Sequence, residues 1–364
     1  NKTIGCTRFV YNHFFALWED TYKTTGKGLS YNKCSAILPS LKKYHPWLEE
    51  VDSISLQSSI KSLQDAYNRF FAGQNGKPQF KKKYNLEQSY TTKLTNNNIR
   101  IEGNKVKLPK LGYVKFAKSR EVNGKIVNVT VRRKPTGKYY ISILVDEQIE
   151  PLEKTGSSCG VDVGLKDFAV VSDGTVYDNP KYFRKLEKKL AKEQRKLSRR
   201  KERAKQCGVK LSEAKNYQKQ KLKVARLHEK IKNKRNDYLH KVSTEIVKNH
   251  DIIGMENLQV KNMQKNRNLS KAISDVSWSK FKGMVEYKAK WYGKELVTVA
   301  KNFPSSQLCS TPGCSYRNKA VKDLSIRTWQ CPECGVTHDR DFNASKNLEV
   351  EAIRLQTAGT AGIA

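Results

Sequence analysis

Hydrophobic positions recur along this chain at two different periods, and the change of period divides it. Over residues 1–75 apolar side chains return every three or four positions, which predicts helices. Phe14, Phe15, Trp18 and Tyr22 mark one run; Ile60, Leu63, Tyr67, Phe70 and Phe71 mark another. These aromatics read as core residues, and a base-stacking platform is the alternative. After the basic loop "GKPQFKKKY" the pattern alternates, in "NNIRIEGNKVKLPKLGYVKF" and "VNGKIVNVTVRRKPTGKYYISILVD". Turn residues at Gly103, at Asn123-Gly124 and at Pro135 to Gly137 punctuate it, so a small antiparallel barrel is expected over residues 88–147.

A third segment opens at Gly156. "CGVDVGL" and "DFAVVS" read as strands, and Asp173-Gly174 turns the second into "TVYD". Residues 181–250 predict a long helical hairpin. Its first arm is marked by Leu186, Leu190 and Leu197, its second by Val224, His228, Ile231, Tyr238, Val242 and Ile246. There follow a short buried strand, "DIIGMENL", and a polar loop, "KNMQKNRNLSKAISDVS". A helix from Trp278 to Trp291, a strand "ELVTVA", a cysteine cluster and a last helix "FNASKNLEVEAIRLQ" complete the chain. Strands with helical crossovers make this segment α/β. No repeat is visible, and no G-x-x-x-x-G-K-[ST] loop suggests ATP chemistry.

Charge narrows the choice of partner. The 364 residues carry 70 Lys and Arg against 35 Asp and Glu, a net of +35 that calls for a polyanion, with nucleic acid first. Residues 181–235 alone hold 23 basic and 5 acidic residues, so half the excess sits in the hairpin, which reads as a phosphate-tracking arm. No apolar run approaches the roughly 20 residues that span a bilayer, no signal peptide opens the chain, and no membrane partner is expected. The first residue is not Met and lies in a helical pattern, so residues upstream are expected.

Three carboxylates stand out. Asp162 interrupts an apolar strand, sharing a face with Gly160 and Gly164, which are expected to leave open space above it for an ion and a phosphate backbone. Glu256 ends the strand "DIIGM". Asp341, in "HDRDFNASKN", sits where the last helix starts; an ordinary N-cap is its alternative role, and Asp339 competes with it as third acid. Acids from three separated segments suit two Mg²⁺ ions about 4 Å apart on a phosphodiester. Cys309, Cys314, Cys331 and Cys334 give C-x₄-C-x₁₆-C-x₂-C, the spacing of one structural zinc ribbon, to which His338 adds little. Cys6, Cys34, Cys159 and Cys207 read as small core residues in a reducing cytoplasm.

Together, "GVDVGLKDFAVVSDG", "IGMENLQVKNM", "CSTPGC … CPECG" and "HDRDFNASKNLEVEAIR" closely resemble the TnpB (OrfB) family of insertion-sequence proteins, to which type V CRISPR nucleases are similar. The resemblance covers the whole chain. It implies a multidomain α+β protein: a helical recognition segment (1–87), a WED-like β-barrel (88–152), and an RNase H-like (RuvC) α/β nuclease (153–304) with the hairpin 181–250 inserted. A zinc ribbon (305–337) and the last nuclease motif with its helix (338–364) would follow. The implied activity is RNA-guided cleavage of double-stranded DNA, with a guide RNA from the transposon end and location in the prokaryotic cytoplasm, at the nucleoid. By motif position Asp162, Glu256 and Asp341 are the catalytic, Mg²⁺-binding acids, and 261–277 a mobile lid. The usual start of the barrel, upstream of "NKTIGCTRFVYNH", is absent, and the first cysteine knuckle has four intervening residues where two are commoner. Rival functions are a transposase joining DNA strands and a catalytically silent nucleic-acid-binding regulator.

Overall fold

The computed structural model describes residues 1–85 and 87–361, and the chain divides into two compact units, Asn1–Gln148 and Ile149–Ala364. In the first, α1 (Lys2–Thr25), α2 (Tyr31–Tyr44) and α3 (Ser53–Phe71) bury the expected stripe, including Phe14, Phe15, Trp18, Ile60, Leu63 and Tyr67. Asp52 caps α3, accepting the backbone N–H groups of Ile54 and Ser55 at 3.2 and 3.0 Å. The same carboxylate accepts the Thr92 hydroxyl at 2.6 Å, which ties the helix start to the first strand.

Six strands follow: β1 (Gln88–Lys93), β2 (Arg100–Glu102), β3 (Lys105–Leu108), β4 (Gly112–Lys115), β5 (Lys125–Arg133) and β6 (Tyr139–Asp146). Their pairing gives two antiparallel sheets, β1-β5-β6 and β2-β3-β4, around one apolar cluster of Ile99, Val106, Leu108 and Val129. Among the described residues no ladder joins the sheets, so the region shows two sheets where a barrel was expected. Asn123-Gly124 is also not a hairpin turn: β4 pairs back onto β3, and the turn feeds β5 instead. A Cβ on Gly124 would run into the Asp146 carbonyl, so glycine is what lets the end of β6 close there.

The second unit is built on β7 (Ser158–Val163), β8 (Asp167–Val171), β9 (Val176–Asp178), β10 (Ile252–Glu256) and β11 (Glu295–Val299), ordered β11-β10-β7-β8-β9. The first three in that order are parallel; β8 and β9 add antiparallel. One face carries Cys159, Val161, Ile253 and Met255. Against it pack α5 (Lys215–Asn249), through Leu239, Val242 and Ile246, and α8 (Trp278–Trp291), through Phe281 and Val285. The other face receives the last helix, α9 (Arg340–Ala361).

With α4 (Tyr182–Gln206), α5 forms the predicted hairpin, seamed by Leu190, Val224 and Ile231. His228 is exposed, and Leu227 takes its place in the seam. Cys207, at the end of α4, is exposed instead of core. The polar stretch after β10 folds into α6 (Val260–Met263) and α7 (Ser270–Val276), because Ile273 and Val276 are buried in the main cluster. Asp275 of α7 accepts the Phe183 N–H at the start of α4 and pairs with Arg235 of α5 at 2.7 Å, fastening this stretch to the hairpin base.

Candidate active site and metal centre

Strand alternation places Gly160 and Asp162 on the α9 side of β7, and Gly254 and Glu256 on the same side of β10. Gly254 pairs with Gly160 across the parallel ladder. Two residues on along each strand, Glu256 and Asp162 therefore stand side by side, about 5 Å apart in backbone terms.

The glycines do not hold space open for an ion. A Cβ on Gly160 would collide with the Ser345 carbonyl, and one on Gly254 would lie 2.5 Å from the Leu348 carbonyl. Both positions are filled by the backbone of α9, which lies directly on the sheet. That contact also positions Asp341. Asp341 is one helical turn before Ser345, about 6 Å along the axis, which matches the two-residue step of about 6.6 Å from Gly160 to Asp162. Asp341 is thereby carried toward Asp162.

Electrostatics agree with this convergence. Burial, then the negative charges of Asp341 and Glu256, push the Asp162 carboxyl up to about 7, against a smaller pull from Arg340 and Arg327. Burial also raises Glu256 and Asp341. Three half-buried carboxylates sharing so little counter-charge make a site that attracts cations.

Asp339 has a different task. Its Oδ1 accepts the backbone N–H groups of Asp341 and Phe342 at 3.1 and 2.9 Å, so Asp339 takes the capping role considered for Asp341. The Asp341 carboxylate takes no part in the cap and pairs with the Arg327 guanidinium at 3.4 Å. Arg327 had no signal in the sequence. It reaches the acids only because its carbonyl accepts the Arg340 N–H at 2.8 Å, which sets the segment before β12 (Thr328–Gln330) beside the start of α9.

β12 and β13 (Thr337–Asp339) form a two-stranded sheet carrying the cysteine cluster. All four sulfurs lie within 4.8 Å of one another; Cys309 and Cys334 are 3.5 Å apart, Cys314 and Cys331 3.7 Å. A zinc ion with bonds of about 2.3 Å in a tetrahedron separates its sulfurs by about 3.8 Å, so the cluster fits a structural zinc site. His338 is closer to this centre than its sequence suggests: its Nε2 lies 3.1 Å from the Cys309 sulfur, where an N–H would donate to a thiolate. Asn343 of α9 binds the ribbon on two sides, accepting the Ser310 N–H and donating to the Leu308 carbonyl, so the cysteine cluster and Asp341 are mechanically joined.

The unit is thus a mixed α/β fold with three acids near the start of its last helix and a four-thiol ribbon tied to that helix. Comparisons with known proteins give its family. The OrfB_IS605 family model, described as "Probable transposase", matches residues 140–267, and one described as "Cas12f1-like, TNB domain" matches 278–348. A "Helix-turn-helix domain" model matches 1–27, a span that here is the single helix α1. A Streptomyces pristinaespiralis protein named "Putative RNA-guided DNA endonuclease" is 34% identical over 364 residues, covering 99% of this chain and 87% of its own. InsQ of Escherichia coli K12, under the same description, is 35% identical, with 94% and 86% covered. In a cryo-EM structure of a Cas12f1–sgRNA–target DNA complex, the Cas12f1 fold matches with a TM-score of 0.53 at 16% identity, over 96% of this chain and 81% of that one. The chain belongs to the TnpB (OrfB) family.

Proposed function

We propose that this protein is a transposon-encoded, RNA-guided DNA endonuclease whose hydrolytic centre is Asp162, Glu256 and Asp341. The observation that carries the reading is the meeting of these acids beneath α9, from two parallel strands and a helix start distant in sequence. The donor set is all carboxylate oxygen, which suits a hard divalent cation such as Mg²⁺. When bound, such ions supply an activated water and a counter-charge for the departing 3′ oxygen.

The chain's own groups do the rest. Asp162 and Glu256, on adjacent strands of a packed sheet, hold their oxygens rigidly; α9 presents Asp341 from the third side. Because the Asp162 carboxyl holds its proton up to about pH 7, cations compete with that proton and their affinity rises with pH. Arg327, now on Asp341, is within reach of a phosphate brought to the acids. The helices of 1–87 and the sheets of 88–152 are assigned to gripping the guide RNA and the duplex beside the target; 261–277, expected as a mobile lid, is instead anchored at the hairpin base by Asp275 and by buried Ile273 and Val276, so no lid role is assigned to it. The hairpin is assigned to tracking phosphates.

The family description as a transposase keeps one alternative, DNA strand transfer. Purified protein with the RNA it carries, matched duplex and Mg²⁺ separates the two: guide-dependent linear cuts support hydrolysis, joined products support transfer.

A further inference from the structure

The first unit's core contains an aromatic arrangement that runs out to the surface at both ends and that the nuclease site does not use. Trp18 lies nearly parallel to Tyr22 (5.2 Å between centroids, 11°) and to Tyr67 (3.7 Å, 18°), and Tyr67 to Phe71 (6.2 Å, 23°). The inner rings of this stair are buried, but its ends are open: Tyr22 is 47% and Phe71 63% exposed. They lie at the C-terminal ends of α1 and α3. The chain after α1 packs against the Trp18 indole of the stair. Gly26 turns it with a φ of 67°, and Gly28 is packed so closely on the Trp18 indole that a Cβ would overlap it.

A second feature borders the stair. The loop "GKPQFKKKY" puts Phe80, 52% exposed, edge-on against Phe15 at 4.6 Å, and flanks it with Lys77, Lys81, Lys82 and Lys83, all exposed. Lys77 pairs with Glu19, whose other oxygen accepts the Tyr67 hydroxyl, so the acid nearest the rings is already neutralised. Residues 1–85 carry 13 Lys and Arg against 6 Asp and Glu. Open planar rings beside exposed lysines, Lys82 and Lys83 among them, are the chemistry that binds unpaired nucleotides: each base stacks on a ring while its phosphate meets a cation.

We propose that the Tyr22–Trp18–Tyr67–Phe71 stair is a stacking platform for unpaired bases of RNA. The inference rests on the functional reading above for one point, the presence of a resident RNA. Exposed apolar rings are an aggregation liability unless covered. A guide RNA remains with the protein through every target, whereas DNA comes and goes, so RNA is the occupant able to cover the rings permanently.

The test uses the full chain. Its RNA complex is irradiated with ultraviolet light and the crosslinked peptides are identified; bonds from Tyr22 or Phe71 to RNA bases are expected. In parallel, single-stranded RNA is titrated against wild type, a Tyr22→Ala/Phe71→Ala variant and a Tyr22→Phe/Phe71→Tyr variant. Losing one stacked base weakens binding about 5- to 150-fold, so the alanine variant should lose that factor and the ring-preserving variant should not. An abasic strand of equal length should bind wild type and alanine variant alike. The two changed side chains are largely exposed, so the fold should survive their removal. Equal RNA affinity for wild type and alanine variant overturns the platform while leaving the nuclease reading intact. So do crosslinks from these rings to target DNA only, or a self-association of wild type that the alanine variant loses. A wild-type protein that holds no RNA overturns the functional reading and this inference with it.

Discussion

Replacing Asp162 by Asn should abolish cutting and, at the same time, make the metal-free protein more stable. The carboxyl has an ordinary value of 3.8 and stands at about 7 in the fold, raised first by burial and then by Asp341 and Glu256. An acid whose folded value lies above its unfolded one binds its proton more tightly when native. Stability then falls as pH rises between the two values and is lowest above the upper one. The gap corresponds to roughly 4 kcal/mol above pH 7; the solvent that half-buried Asp162 still sees reduces this to about 2–4 kcal/mol. Asn has the same shape and no charge to bury. In a unit of this size the gain is about 5–15 °C in melting temperature. The assay is thermal unfolding of RNA-free protein in magnesium-free buffer, without chelator so that a ribbon zinc stays, at pH 4 and pH 8. The Asn variant should melt well above wild type at pH 8 and beside it at pH 4. Added Mg²⁺ should raise wild type only, because ion binding stabilises the fold that offers the site. A variant that melts at or below wild type at pH 8, or a gap that ignores pH, refutes the reasoning.

Reversing Lys188, Lys192, Arg195 and Arg199, an exposed stripe along α4, to Glu should weaken nucleic-acid binding and flatten its salt dependence by roughly three to four units of log–log slope; an unchanged slope means the stripe touches no phosphates. Cys331→Ser should reduce bound zinc, measured by elemental analysis, from about one per chain toward none, and should lower cleavage as well, because the ribbon's bonds to Asn343 and Arg340 hold Asp341 in place. Full activity without zinc contradicts that link. Gly254→Ala should cost about 1–3 kcal/mol in chemical denaturation and reduce cutting, since its Cβ meets the Leu348 carbonyl; Gly283→Ala, on an open face of α8, should cost nothing comparable.

Much of the architecture was legible because its elements are periodic. The stripe through Phe14 and Trp18, the apolar run of β10 and the leucine seam of α4 each have one way to bury themselves. Cysteine spacing likewise constrains geometry within a few residues. What stayed hidden depends on contacts between distant segments. Gly160 beside Asp162 suggested room for an ion, and only the arrival of α9 showed that the room is occupied by backbone. Asp339 and Asp341 were interchangeable by composition until hydrogen bonding made Asp339 the cap. Arg327 and His338 acquired partners solely through the folding of the ribbon. Between Gly112 and Gly124 the alternating pattern gave no sign of which strand pairs with which, since register there is set by β4 returning to β3.

The central claim is that Asp162, Glu256 and Asp341 together form a cutting centre directed by RNA. Its most direct measurement is cleavage of a matched duplex, in Mg²⁺, by the RNA-loaded wild-type protein and by Asp162→Ala, Glu256→Ala, Asp341→Ala and Asp339→Asn, with RNA retention measured on each. Wild type should cut only the matched duplex, the three alanine variants should keep their RNA and cut nothing, and Asp339→Asn, which can still cap the helix, should retain most of its activity. Undiminished cutting by any of the three alanine variants, or cutting that ignores the guide, contradicts the account.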